Sequence, residues 1–186
     1  MNRVVDDMKM TVGNRRFEAG CYKHLKELNL PVEDWYCESV EDKDEAEFTC
    51  QLCGYREVRY VHWMQNPSVV ESFGVGCCCD ATLTGDALGA LEREREVRNR
   101  TKRLQSFIHG KWKYSTFGDS HFWEKKIRNG PRCKIRQDAN HLYAVWYNEH
   151  WCYKCRGKLM LSFREAAKAI FTVSDPKRME HEREND

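Results

Sequence analysis

Cys50-Gln51-Leu52-Cys53-Gly54, answered downstream by Val75-Gly76-Cys77-Cys78-Cys79, decides how the first half of this chain is read. Two thiolates three residues apart are spaced to hold one tetrahedral ion, and the glycine behind them permits the tight turn that aims both sulfurs. A knuckle of this kind needs a second pair, and Cys77-Cys78-Cys79 begins 24 positions after Cys53. Cys77 and Cys79 are the expected members, because alternate residues both face the metal where a chain turns, and Gly76 makes a turn easy. Cys78 or His62 stays open as a substitute for either. The expectation is one structural Zn2+ on Cys50, Cys53, Cys77 and Cys79, four cysteinates that leave no open coordination position. The competing reading is a set of buried apolar thiols or a redox pair.

The rest of the chain frames that centre. Its 186 residues are 41% hydrophobic with 10 cysteines, enough for one compact domain or two small ones. Met1-Asn2-Arg3-Val4-Val5-Asp6-Asp7 lacks the apolar core of a secretory signal. No stretch approaches the roughly 18 consecutive apolar residues that span a membrane. A reducing cytoplasm is therefore the expected setting, where clustered cysteines serve as metal ligands more often than as disulfide partners. Cys152-Tyr153-Lys154-Cys155 is a second Cys-x-x-Cys, but no further cysteine pair accompanies it, so a second zinc there is not expected. Cys21 and Cys37 read as core residues.

Hydrophobic spacing gives an α+β reading in four parts. Residues 1–82 form a zinc-stapled module: a helix with Phe17, Cys21, Leu25 and Leu28 in helical register, closed by Pro31, then strands at 35–40 and 57–64. Asn66-Pro67-Ser68 breaks the second strand. Residues 83–110 form a long connecting helix, capped by Thr84 or Asp86 and carrying Leu88, Leu91, Val97 and Leu104. Residues 111–174 alternate short strands, at 111–115, 133–136, 141–147 and 158–161, with turns such as Asn129-Gly130-Pro131. They end in a helix opened by the capping box Ser162-Phe163-Arg164-Glu165. Residues 175–186 read as a charged tail.

Leu30-Pro31…Trp35-Tyr36-Cys37, Cys50-Gln51-Leu52-Cys53-Gly54, Val58-Arg59-Tyr60-Val61-His62 and Val75-Gly76-Cys77-Cys78-Cys79 form an ordered set. It resembles a group of uncharacterised bacterial and phage zinc-knuckle proteins with a glycine before a Cys-x-Cys pair. The resemblance covers roughly 30–107 and implies Cys77 and Cys79 as ligands rather than Cys78. It brings no activity with it. A regulatory role encoded by a phage or mobile element is what it implies about setting.

Overall charge is nearly balanced, 31 basic against 29 acidic residues, but its distribution is not. From Arg93 to Arg136 there are 14 basic and 4 acidic residues, a local excess of +10. Trp112, Tyr114, Phe117, Phe122 and Trp123 interleave with that charge. Basic side chains neutralise phosphates and exposed aromatics stack on bases, so nucleic acid is the expected partner of a non-catalytic binding protein. The nominated contacts are Arg95, Arg98, Lys102, Arg103, Lys111, Lys113, Lys125 and Lys126. The competing arrangement makes those aromatics core and those cations its wet face. A protein-binding adaptor using the acidic 33–47 segment is the alternative function. A degenerate HNH-like nuclease would use Cys50, Cys53 and His62, but the Asn-then-His continuation of that family is missing. Without a phosphate-binding glycine loop, dinucleotide fingerprint or evident nucleophile, no small-molecule substrate is inferred.

Overall fold

The structure, a computed structural model, describes residues 14–126, 132–147 and 149–175. The chain is α+β and divides into two units, Met1–Thr101 and Lys102–Asp186.

In the first unit, α1 (Arg15–Glu27) starts where the Asn14 side chain accepts the amides of Arg16 and Phe17 at 3.1 and 3.3 Å. This N-cap satisfies two donors that a helix otherwise leaves open. Cys21 and Leu25, one turn apart, are its buried residues. Strands β1 (Tyr36–Asp42), β2 (Tyr60–Asn66) and β3 (Val69–Val75) make an antiparallel sheet in that order. The expectation that Asn66-Pro67-Ser68 breaks the chain was half of the answer. It is the turn of a hairpin, with the Ser68 amide donating to Asn66 Oδ1 at 2.9 Å, and β3 returns from it.

Two helices follow. Residues 77–84 are α2 (Cys77–Thr84), ended by Gly85 in the left-handed region at φ 69°. The cysteine run is therefore helical rather than an extended turn. Asp86 then caps α3 (Ala87–His109), its Oδ1 accepting the Gly89 amide at 2.8 Å. The first core gathers Leu25, Trp35, Leu52, Val61, Met64 and Val75 around the thiols of Cys21, Cys50 and Cys79.

In the second unit, β4 (Lys113–Phe117), β5 (Ser120–Lys126), β6 (Arg132–Gln137), β7 (Tyr143–Tyr147) and β8 (His150–Cys152) form a five-stranded antiparallel meander. The two-residue strands β9 (Lys154–Cys155) and β10 (Lys158–Leu159) make a small separate ladder. Helix α4 (Phe163–Ser174) opens with the expected capping box between Ser162 and Glu165. Its Ile170 and Phe171, with Leu104, Phe107 and Ile108 of α3, pack on Cys133, Ile135 and Val145 of the sheet. Strand β5 escaped the sequence reading because Phe122 and Trp123 are both aromatic and hide the two-residue alternation. They point to opposite faces. The expected turn at 129–131, the polar lead and the tail beyond Pro176 lie outside the described residues. Among the described residues no helix is long and apolar enough to cross a membrane.

Candidate metal centre and an aromatic, basic sheet face

The knuckle forms as a tight turn. The Gly54 amide donates to the Cys50 carbonyl at 2.9 Å, and Gly54 sits at φ 72°, where a side chain would be strained. Gly76 donates its amide to Cys50 Sγ at 3.5 Å, fixing that sulfur from the start of α2. Cys50, Cys53 and Cys79 come together with their sulfurs within 4.8 Å of one another, a group that can hold a metal ion. Cys50 Sγ lies 3.6 Å from Cys79 Sγ. Sulfurs about 2.3 Å from a tetrahedral ion are about 3.8 Å apart, so the spacing suits an ion at their centre.

Cys77 is not in this group. Two residues apart on a helix means about 200° of rotation, so α2 sends Cys77 and Cys79 in nearly opposite directions. Cys77 lies with His62 and Glu94 instead. The expectation of alternate residues sharing a metal needed an extended turn, and helix formation at residue 77 removes it. Cys78 is half-buried against the small cluster of Cys77, Ala81 and Ala90. The other sulfur near Cys79 is Cys21 of α1, whose thiol interacts with Cys79 but lies outside the group of sulfurs within 4.8 Å of one another. It was expected as core, and it is buried in the core. A solitary cysteine on a helix face, 29 residues before Cys50, carries no spacing signal that marks it as a ligand.

Electrostatics of the cluster follow from one thiolate among several thiols. Cys53 and Cys79 both direct hydrogen bonds to Cys50, which outweighs burial and holds the Cys50 thiol far below its ordinary range. The partners move the other way: Cys53 is raised first by its bond to Cys50, and Cys79 by its bonds to Cys21, Cys50 and Cys53. A divalent cation bound there would let all of these sulfurs be thiolates together, with release of protons. A groove of about 470 Å³ between α1 and the knuckle, lined by Arg16, His24 and Cys53 among others, gives an entry path. Cys53 is exposed there.

The meander has a different character on each face. One face meets α4 and the end of α3. On the other, strand register aligns Lys113 with Glu124 and Lys134, Phe122 with Arg136, and Trp146 with Trp151. Arg136 lies over the Trp151 ring at 4.9 Å and over Tyr153 at 5.5 Å, and Lys134 lies over Trp146 at 5.9 Å. Phe122, Trp146, Trp151 and Tyr153 are only half-buried, and Lys113, Lys126, Arg132 and Lys134 are exposed. Glu124 is the one acidic residue of that face among the described strands, and it pairs with Arg132 at 3.1 Å.

The nominated basic residues divide accordingly. Lys113 and Lys126 belong to the aromatic face, and Arg95, Lys102 and Lys111 are exposed. Three others are occupied within the fold. Arg98 pairs with Glu94 and covers Tyr60 at 5.2 Å, and Arg103 pairs with Asp175 at 3.0 Å. Lys125 donates to the Phe107 carbonyl at 2.7 Å on the helix-bearing face. Cys152 is half-buried beside the second core and Cys155 is exposed on β9.

No family model, curated protein or solved structure matches this chain. Geometry is therefore what the functional reading stands on.

Proposed function

We propose that this is a non-catalytic, zinc-containing binding protein that contacts nucleic acid through the open face of its meander. The observation that carries the reading is the layer of half-buried aromatics threaded with cations on that face, with Arg136 between Trp151 and Tyr153. Flat sheets with aromatic side chains suit unpaired bases, which stack on rings, while neighbouring cations meet the phosphates. Single-stranded RNA or DNA is the better fit, because a broad sheet does not enter a duplex groove as a helix does.

Zinc is proposed for the thiolate cluster, with Cys21 as the fourth ligand beside Cys50, Cys53 and Cys79. Sulfur-rich tetrahedral sets select zinc among common divalent ions, and four cysteinates make the ion structural. The adaptor reading has less to stand on. Asp42 is bound by Arg59 and Thr101, and Glu41 by Lys43 and Trp63, so part of the acidic segment is satisfied within its own unit. For a nuclease, His62 would have to reach water, yet it has no accessible surface.

Fluorescence anisotropy with labelled single-stranded and double-stranded RNA and DNA across a salt series tests the proposal. Expected is tighter binding to single strands, weakening steeply with salt. Trp151→Ala should cost about 1–3 kcal/mol, and Arg136→Glu should weaken binding and flatten the salt slope. Arg103→Glu serves as a contrast, since its partner is Asp175. Absence of binding by the metal-loaded protein would contradict the reading and favour a protein partner.

A further inference from the structure

Cys77, set aside from the thiolate cluster, faces a second constellation. His62 of β2 and Asp80 of α2 have no accessible surface, and Glu94 of α3 is 5% exposed. Burying such groups is costly unless each has a partner. Asp80 is fully engaged: its Oδ2 takes His62 Nδ1 at 2.6 Å, and Arg93 donates to both carboxylate oxygens at 2.9 and 3.0 Å. Glu94 gives one oxygen, Oε1, to Arg98. On the other side of the imidazole, His62 Nε2 is buried without a hydrogen-bond partner among the described residues. The second Glu94 oxygen stands 3.8 Å from it. That is too long for an N–H···O bond, which closes to about 2.9 Å. It is close to the roughly 3.4 Å that separates nitrogen and oxygen donors on one tetrahedral zinc-sized ion. The Cys77 sulfur, a His62 ring nitrogen and a Glu94 carboxylate oxygen lie within 4.8 Å of one another.

We infer that His62 Nε2, Cys77 Sγ and the Glu94 carboxylate form a second, buried metal site for a divalent ion of the zinc class. Asp80 is its positioning residue. A metal-bound histidine characteristically gives its other ring N–H to a carboxylate, which fixes both tautomer and ring orientation, and Asp80 holds that place. The donor set of nitrogen, sulfur and oxygen suits zinc or cobalt and not magnesium or calcium, whose shells are oxygen. Three protein donors leave a fourth position for a water or another small donor. The site would tie β2 to the first residue of α2 and to the second turn of α3. It shares no ligand with the Cys21–Cys50–Cys53–Cys79 cluster and does not rest on the nucleic-acid reading.

Titration of the metal-free protein with Co2+, followed by visible absorption and by mass spectrometry under native conditions, tests this site. Two ions per chain are expected, one with the intense charge-transfer bands of an all-sulfur shell and one with a weaker single-thiolate signature. Glu94→Gln, which keeps the shape of the side chain and a hydrogen bond to Arg98, should bind one ion and keep the all-sulfur spectrum. Cys53→Ser should lose the all-sulfur spectrum. Asp80→Asn should weaken the second ion about 10–100-fold and leave the first unchanged. A wild-type chain that shows only the all-sulfur Co2+ spectrum, with no single-thiolate signature, overturns the site whatever the variants do. Two ions in wild type that both persist in Glu94→Gln and Cys77→Ser also overturn it. Loss of the all-sulfur spectrum alone would count against the thiolate cluster and leave this site standing.

Discussion

The two units hold themselves together by different means. The second has a conventional interior: Leu104, Phe107, Ile108, Ile135, Val145, Ile170 and Phe171 close between a sheet face and two helices. Phe107 packs against Trp112 and Phe171 with ring centroids 5.2 and 5.5 Å apart. The first has an apolar core of similar size, with Leu25, Trp35, Leu52, Val61, Met64 and Val75, but buries a set of thiols and ionisable groups beside it: Cys21, Cys50, Cys79, His62, Asp80 and Glu94 all lie below a tenth of their exposure. Neutral thiols bury as small apolar groups, whereas thiolates and carboxylates buried together need cations or hydrogen-bond donors. If the thiolate cluster holds the proposed ion, folding of the first unit is linked to metal and folding of the second is not.

The largest effect that would break this contrast is loss of the knuckle. Cys50→Ser should remove the thiolate-bound ion and with it on the order of 10 kcal/mol of folding free energy, unfolding the first unit. Circular dichroism and metal content measured together check this, and a fully folded, metal-loaded variant would refute the assignment. Next comes Phe171→Ala, expected to cost about 3–5 kcal/mol through cavity formation in the second unit. In this variant the transition of the second unit should fall but not respond to chelator, whereas the transition of the first unit should still respond.

A finer comparison sets Cys21→Ser against Cys77→Ser. The first should disturb the all-sulfur Co2+ spectrum and the second should leave it intact. The reverse result would restore Cys77 to the cluster. Smaller still is Asp42→Asn. Burial pushes the Asp42 carboxyl up, but bonds from Arg59, Thr101 and the Asp44 amide outweigh it, and the net shift is downward. A carboxyl lowered in the folded state stabilises it above its unfolded value, about pH 3.9, and that stabilisation is lost as pH falls through the lower folded value. The substitution should therefore cost about 1–3 kcal/mol at pH 7. The gap to wild type should close in acid below about pH 4, as urea denaturation at several pH values would reveal.

Legibility in the sequence followed the same division. Local signals were readable: the Cys-x-x-Cys-Gly knuckle, the Ser162–Glu165 capping box and the start of α3 at Asp86 depend on residues within a few positions. Signals that depend on a third dimension were not. Cys77 and Cys79 look equivalent until α2 turns them apart, and Cys21 comes near Cys79 only because α1 packs against α2. Counting cations on 93–136 likewise could not see that Glu94, Asp175 and the Phe107 carbonyl occupy Arg98, Arg103 and Lys125. Nor could it see that Arg136, on the face away from the helices, is half-buried between Trp151 and Tyr153 and donates to the Tyr153 hydroxyl.

Hydrogen exchange on the full chain at neutral pH, with zinc and after exhaustive chelation, tests metal-linked folding most directly. If only the first unit depends on metal, chelation should abolish amide protection across 36–84 while 113–126, 132–147 and 163–174 keep theirs. Unchanged protection across 36–84 in the metal-free chain, or equal loss in both units, would contradict it.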